Sequence, residues 1–454
     1  MAFLDENYLL ENESAKKIYE QVKDLPILDA HNHGDVEEIV SNEGWNDIWE
    51  VEAETDHYVW EILRKRGVPE EKITGNASNK EKWLALAKIF PEIAGNPTYE
   101  WIHLDLKRRF GIDELISEHT ADMIWEKTKA ALATEAMKPV SLLKAMNVKV
   151  MCTTDEPFSP LEDHQKAKDE IDGVSILPTW RPDKAMNIEK DIWKGFVDKI
   201  GERFDEDTSD LSAFLTAMQK SHDFFVENGC IASDHGITEP YSYFVEDKVA
   251  ATIHDKAYKG EELSEKEVKD YKAYILVKFG EMNVESNWVT QLHIGAVRDY
   301  NETLFETLGP DTGGDLSTNS IEIVDNLKYL LNKLDGSKVV LYCLDPTHWP
   351  TLATISRAFR NVSLGAAWWF NDSPYGMEEQ LKYISTVDLL SNFAGMVSDS
   401  RKLISYGSRM EMFRRSMCNA IGKMVDRGQI PFHIASDLAY GLTYRQPNEL
   451  FFND

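Results

Sequence analysis

The sequence predicts an α/β fold, a (β/α)8 TIM barrel with helical insertions, and three observations predict it. Eight short runs rich in apolar and β-branched residues are strung along the 454 residues, and amphipathic stretches such as 212–226, 321–334 and 377–383 lie between them. Nearly every run ends in a polar residue able to do chemistry. Alternating strand and helix asks for a parallel sheet with crossover connections, and eight repeats ask for closure. An open doubly wound sheet is the alternative, but it would carry a glycine-rich first turn, and none follows Ala30.

The candidate strands are residues 27–30, 148–153, 175–179, 230–233, 289–292, 339–344, 362–367 and 395–398. The first connection, 34–147, is too long for one helix and loop. It contains amphipathic pieces at Tyr58-Val59-Trp60-Glu61-Ile62-Leu63 and Trp83-Leu84-Ala85-Leu86-Ala87, which predict a helical subdomain over the barrel mouth. The connections 181–229 and 235–288 also read as helical and charged. None holds a Gly/Ser-rich or Pro-rich linker, so residues 1–454 are expected to form a single barrel domain with 34–147 inserted in it.

In such barrels the chemistry stands at the C-terminal strand ends. The first strand runs into His31-Asn32-His33, and residues two apart in an extended chain share a face, so the two imidazoles can bind one divalent ion. The second ends Thr153-Thr154-Asp155, the third leads to Arg181, the fourth to Asp234-His235-Gly236, and the fifth to His293. The sixth ends at Asp345, the seventh at Trp368-Trp369 and the eighth at Asp399, with Arg401 close by. An aspartate after a strand is commonly a helix cap or turn residue, which leaves Asp155 and Asp345 without a role. Asp399 differs, because in a closed barrel the eighth strand neighbours the first. His31, His33 and Asp399 then form a metal site with open positions, and Arg401 stands where a guanidinium could pair with a substrate carboxylate or a structural acid. One of Trp368 and Trp369 should face the mouth. Spacing alone does not bring His57 and Tyr58, inside the insertion, to the site.

Composition narrows the function classes. A formal net charge of −29 excludes a basic footprint for nucleic acid, and no run of about 18 apolar residues is present to span a membrane. Residues 1–23 are acidic and lack the basic start and apolar middle of a signal peptide, so a cytoplasmic location is expected. The four cysteines, Cys152, Cys230, Cys343 and Cys418, have no zinc-finger spacing and read as buried reduced thiols. An anionic substrate would need local arginines or a metal to reverse the global field. No surface stripe declares a partner, although self-association into a homo-oligomer is expected of a large barrel.

The chain resembles the uronate isomerase (glucuronate isomerase) family of the amidohydrolase superfamily, from Phe3-Leu4-Asp5-Glu6-Asn7-Tyr8 to Leu442. The matching segments are His31-Asn32-His33, Asp56-His57-Tyr58, Thr153-Thr154-Asp155, Leu177-Pro178-Thr179-Trp180-Arg181-Pro182-Asp183 and Gln291-Leu292-His293-Ile294-Gly295. Leu308-Gly309-Pro310-Asp311-Thr312-Gly313, Trp368-Trp369-Phe370-Asn371-Asp372 and Gly395-Met396-Val397-Ser398-Asp399-Ser400-Arg401 extend the match. The segment Cys343-Leu344-Asp345-Pro346 and the residues after Asp372 look less usual for the family. The resemblance implies interconversion of D-glucuronate with D-fructuronate and of D-galacturonate with D-tagaturonate, by proton transfer through a cis-enediol. It implies that His31, His33 and Asp399 surround one divalent metal, zinc or alternatively manganese, whose strict necessity stays open.

By the same resemblance, His57, Tyr58, Arg181 and Arg401 contact the substrate, with Asp399 and Tyr58 the proton handlers. His293 and Trp369, at their strand ends, complete the candidate substrate-binding set, and Asp399, Tyr58, His57 and Arg401 form the catalytic one. The rival is a metal-dependent hydrolase of a sugar-acid lactone or amide. Two-metal relatives carry a bridging lysine after the fourth strand, whereas this chain reads Ser233-Asp234-His235, which favours one metal at most. A binding protein on an inactive barrel would need neither base nor proton shuttle.

Overall fold

The computed structural model describes residues 3–452, so residues 1, 2, 453 and 454 of the expected single domain lie outside the described residues. In chain order the strands are β1 Ile27–Asp29, β2 Val148–Cys152, β3 Ser175–Leu177, β4 Ala232–Ile237, β5 Val289–Ile294, β6 Ala296–Val297, β7 Leu316–Ser317, β8 Val339–Cys343 and β9 Val362–Leu364. One parallel sheet has the order β1-β2-β3 and another the order β4-β5-β8-β9; β6 and β7 form a small antiparallel pair that the sequence did not announce. Helices follow the strands, among them Glu162–Glu170, Leu211–Glu227, Glu265–Glu285, Val324–Lys333 and Pro374–Val387. Mixed α/β architecture with sequentially ordered parallel strands is what the apolar runs predict.

The expected continuous sheet is divided. Trp180 links the two sheets, its N–H donating to Ala232 O at 3.3 Å and its carbonyl accepting from Asp234 N–H at 3.0 Å. The eighth candidate strand, 395–398, forms no strand. That segment is extended but held by side chains: the N–H and hydroxyl of Ser398 donate to the Asp29 carboxylate at 2.9 and 2.5 Å. Gly395 turns the chain with φ +100°, packed so closely on Pro447 that a Cβ there would lie 2.8 Å from its ring. The segment nonetheless reaches both neighbours, through Ala394 N–H to Leu364 O and Asp399 N–H to His31 O, at 2.9 and 3.2 Å.

β4 begins and ends later than the apolar run 230–233 suggests. Its ladder continues through Asp234, His235 and Gly236, which pair with Gln291, Leu292 and His293 of β5. Polar residues continue a buried strand here because each finds a partner: His235 Nε2 lies 2.8 Å from Ser233 Oγ, and Asp234 Oδ1 lies 2.6 Å from His293 Nδ1.

The strands and crossover helices share one large apolar core. Between β1 and β2 the chain is helical, and residues 48–125 enclose a second apolar cluster that includes Trp49, Val59, Leu63, Trp83 and Ile124. Within it, Asp56 caps the helix His57–Lys65, and Ser78 with Glu81 form a capping box on Asn79–Ile89. All four cysteines are free and buried. Among the described residues, no helix is long and apolar enough to cross a membrane.

Candidate active site

Alternation beyond β1 sends His31 and His33 to one face and Asn32 to the other. Asn32 is fixed there, its N–H donating to Cys152 O at 3.0 Å and its amide to Asp29 Oδ2 at 3.2 Å. The segment 394–400 brings Asp399 alongside, with Oδ1 3.1 Å from His31 Nε2 and 3.2 Å from His33 Nε2. Asp399 has φ +47°, a left-handed conformation that aspartate tolerates better than most side chains. Hydrogen bonds from Asp399 N–H to His31 O and from His33 N–H to Ser400 O hold it in register.

Two imidazoles and a carboxylate thus offer donor atoms within 4.8 Å of one another, a set that could hold a metal ion. Nitrogen and oxygen donors of this kind fit a borderline divalent ion. A second set passing the same distance test is His31, Asp234 and His293. The two share His31, whose Nε2 faces Asp399 while its Nδ1 lies 3.6 Å from Asp234 Oδ2. An ion held through Nε2 would leave Asp234 beside the opposite nitrogen, the arrangement that orients metal-binding histidines.

The electrostatics follow from burial and these pairings. Burial pushes the Asp399 carboxyl up, but hydrogen bonds to His31 and His33 outweigh it and hold the group well below the usual carboxylate range. Asp234 is likewise held down against burial, first by Arg181 and then by His31 and His293. Burial lowers His31, yet Asp234 and Asp399 together raise it above its ordinary value; burial holds His33, with Asp399 as its partner, at about 4. Arg181 Nη1 lies 3.1 Å from Asp234 Oδ2, and its Nε donates to Asp183 Oδ2 at 2.8 Å. Asp183 is itself anchored by the Gly236 N–H.

Spacing alone does not bring His57 and Tyr58 near Asp399, but the fold sets the helix they open within reach of its charge. Asp56 Oδ1 accepts the Tyr58 N–H at 2.9 Å, so both residues stand in the first turn of a capped helix. Their rings stack with centroids 4.7 Å apart, and Trp369 meets His57 edge-on at 5.7 Å. Burial, reinforced by the charge of Asp399, pushes the Tyr58 phenol well above its ordinary value, so it stays protonated. The Tyr58 hydroxyl, His57 Nε2, His293 Nε2 and Trp369 Nε1 are buried and have no hydrogen-bond partner among the described residues. Buried polar atoms are ordinarily paired, and this concentration of unpaired ones is what a polar ligand would satisfy.

Trp369 has φ +52°, a conformation that strains a bulky side chain, and strain of this kind clusters at functional sites. Trp368 packs on His293 at 4.7 Å and on the Trp369 ring at 5.6 Å. Arg401 is 30% exposed, with Nη2 3.7 Å from Asp311 Oδ1. Asp345 caps the short helix Pro346–His348, and Asp155 accepts hydrogen bonds from Thr153 and the Thr179 N–H; both have backbone roles.

Three residues went unassigned in the sequence reading. Asp234 stood at its strand end but received no role, although it touches His31, His293 and Arg181. Arg298 lies over the Trp369 ring at 4.4 Å, and its Nη1 meets Asp315 Oδ2 at 3.0 Å. Reading five residues past His293 would have found it. Arg409, whose Nη1 donates to Asp372 Oδ2 at 2.7 Å and to Ser398 O at 3.2 Å, lies in a long amphipathic helix, and nothing local distinguishes it.

Residues 1–451 match the family model described as glucuronate isomerase. A uronate isomerase of Thermotoga maritima is 59% identical over 451 residues, spanning 99% of this chain and 100% of its own. A crystal structure of a uronate isomerase from Thermotoga maritima gives a TM-score of 0.98 at 59% identity, over 100% of both chains. The crystal structure of a glucuronate isomerase from Caulobacter crescentus gives 0.95 at 26% identity, over 98% of this chain and 96% of that one.

Proposed function

This chain belongs to the glucuronate isomerase family, and on that premise we propose that it interconverts D-glucuronate with D-fructuronate and D-galacturonate with D-tagaturonate through a cis-enediol. Such a reaction removes the proton beside the aldehyde and returns one to the aldehyde carbon. It needs a base, a proton donor for the developing oxyanion and a fixed open-chain substrate. Asp399, ionised beside two histidines, is the base at C2. Tyr58, a buried neutral phenol, handles the proton at the sugar oxygens. Arg181 and Arg401 hold the anion against the acidic field of the chain, and His57, His293 and Trp369 line the place it occupies.

The observation that carries this reading is the buried, protonated Tyr58 hydroxyl, unpartnered among the described residues, in the field of Asp399. A proton donor and a charged acceptor in one mouth are what an isomerase requires and a binding protein does not. His31, His33 and Asp399 would hold one divalent ion, zinc or alternatively manganese, which would supply a fixed positive charge to the anionic sugar. In this reading 34–147 is an insertion in a single barrel domain, and the protein works in the cytoplasm as a homo-oligomer on a small-molecule uronate.

Proton NMR of D-glucuronate and D-galacturonate with the purified protein in deuterium oxide, with and without added zinc or manganese, tests the proposal. Ketose carrying deuterium at the former aldehyde carbon is the expected result. No change in either sugar under any metal condition would overturn it, and consumption of a uronolactone or amide without ketose would instead establish a hydrolase.

A further inference from the structure

We propose that Lys402 is a positioning residue for the isomerisation, setting the distance between the two groups that handle the proton; this rests on the reading of Asp399 and Tyr58 given above. The Lys402 side chain is 2% exposed, and its Nζ lies 3.0 Å from Asp56 Oδ2 and 3.3 Å from Glu52 Oε2. Asp56 uses its other oxygen to cap the helix that begins with His57 and Tyr58. At its other end Lys402 belongs to the segment of Asp399 and Arg401. Its N–H donates to Ser400 Oγ at 3.1 Å, and its carbonyl accepts from the hydroxyls of Ser400 and Ser405 at 3.0 and 3.1 Å. One buried ammonium therefore ties the strand-end segment to the inserted helix.

A parallel tie passes through Arg409. Its guanidinium donates to Ser398 O on the Asp399 segment and lies 5.6 Å from the Tyr58 ring centroid. Buried ion pairs seldom return more stability than their desolvation costs, whereas they do fix geometry. Misplacement of reacting groups by about 1 Å can cost about 100-fold in rate. Neither Lys402 nor its two carboxylates need touch the sugar for this to operate.

The test compares Lys402→Met, and the variant Lys402→Met/Glu52→Gln/Asp56→Asn, in which all three side chains are uncharged, in case the single change unfolds the protein, with the parent enzyme. Asparagine keeps the helix cap in the neutral variant. Rates are measured with ordinary and C2-deuterated D-glucuronate. We expect kcat to fall about 100-fold, KM to stay within about threefold, and the isotope effect on kcat to rise as proton transfer becomes slower. A kcat within about threefold of the parent overturns the role, and so does a loss that follows the folded fraction with the isotope effect unchanged. Tyr58→Phe is assayed alongside. Its full activity would overturn the proton-handling reading itself, whereas an inactive Tyr58→Phe beside an active Lys402→Met overturns the Lys402 role alone.

Discussion

Replacing Tyr58 with phenylalanine separates catalysis from stability, because the two should move in opposite directions. The substitution removes one oxygen and keeps the ring that stacks on His57 at 4.7 Å and packs on Trp101 at 5.7 Å. That oxygen is buried without a partner among the described residues, and leaving a buried polar group unpaired costs about 1–3 kcal/mol. Tyr58→Phe should therefore gain stability by up to that amount, seen as a Tm higher by roughly 1–3 °C, since the melting entropy grows with chain length. Turnover should fall by about 10²–10⁴, the usual contribution of a positioned acid or base, equivalent to about 3–5 kcal/mol of barrier. Scanning calorimetry and an NMR assay for ketose read the two quantities independently. A clear drop in Tm would make the hydroxyl a structural partner, and unchanged turnover would remove Tyr58 from the chemistry; either result refutes the reasoning.

Three further outcomes follow from the same geometry. Metal analysis after equilibration with zinc should find about one ion per chain in the parent and in His293→Asn but none in His33→Asn; the opposite pattern would assign the ion to the His31, Asp234 and His293 set. Arg181→Lys should raise KM by about tenfold with little change in kcat, since an ammonium cannot meet Asp183 and Asp234 as the guanidinium does; steady-state kinetics reads this, and an unchanged KM would remove Arg181 from substrate binding. Burial lowers His103, His222 and His235 from 6.5 to about 4. The unfolded chain then binds more protons than the native one between those values, so stability is present above pH 6.5 and drains away as the pH falls towards 4, by up to about 3 kcal/mol per histidine. Urea unfolding at pH 7.5 and 5 should show it, and equal midpoints would count against buried neutral histidines.

Much of this molecule is legible in its sequence because a strand end is a change of chemistry: His31, His33 and His293 each follow or finish an apolar run, and the fold keeps them together. Where side chains take over from the ladder, legibility fails. The segment at 395–398 is extended for the sake of the Asp29 carboxylate, which no propensity or period encodes. β4 runs on through Asp234 because its polar residues find partners 59 positions away in His293, so the apolar run misjudges where the strand stops. Resemblance and not spacing points to His57 and Tyr58, since only tertiary packing decides where the turn capped by Asp56 lands. The strained backbone of Trp369 leaves no trace in composition at all.

The separate apolar cluster within 48–125 gives the mouth an unusual vulnerability. The helix that opens with His57 and Tyr58 anchors Val59 and Leu63 in that cluster, while Tyr58 packs against the main core, and proteins open in cooperative units that need not let go together. Release of that unit would leave both parallel sheets standing while taking away two of the residues proposed to act on the sugar. Heat or denaturant should then silence the protein before it melts, and amide protons of the helix His57–Lys65 should exchange ahead of those in β5 and β8.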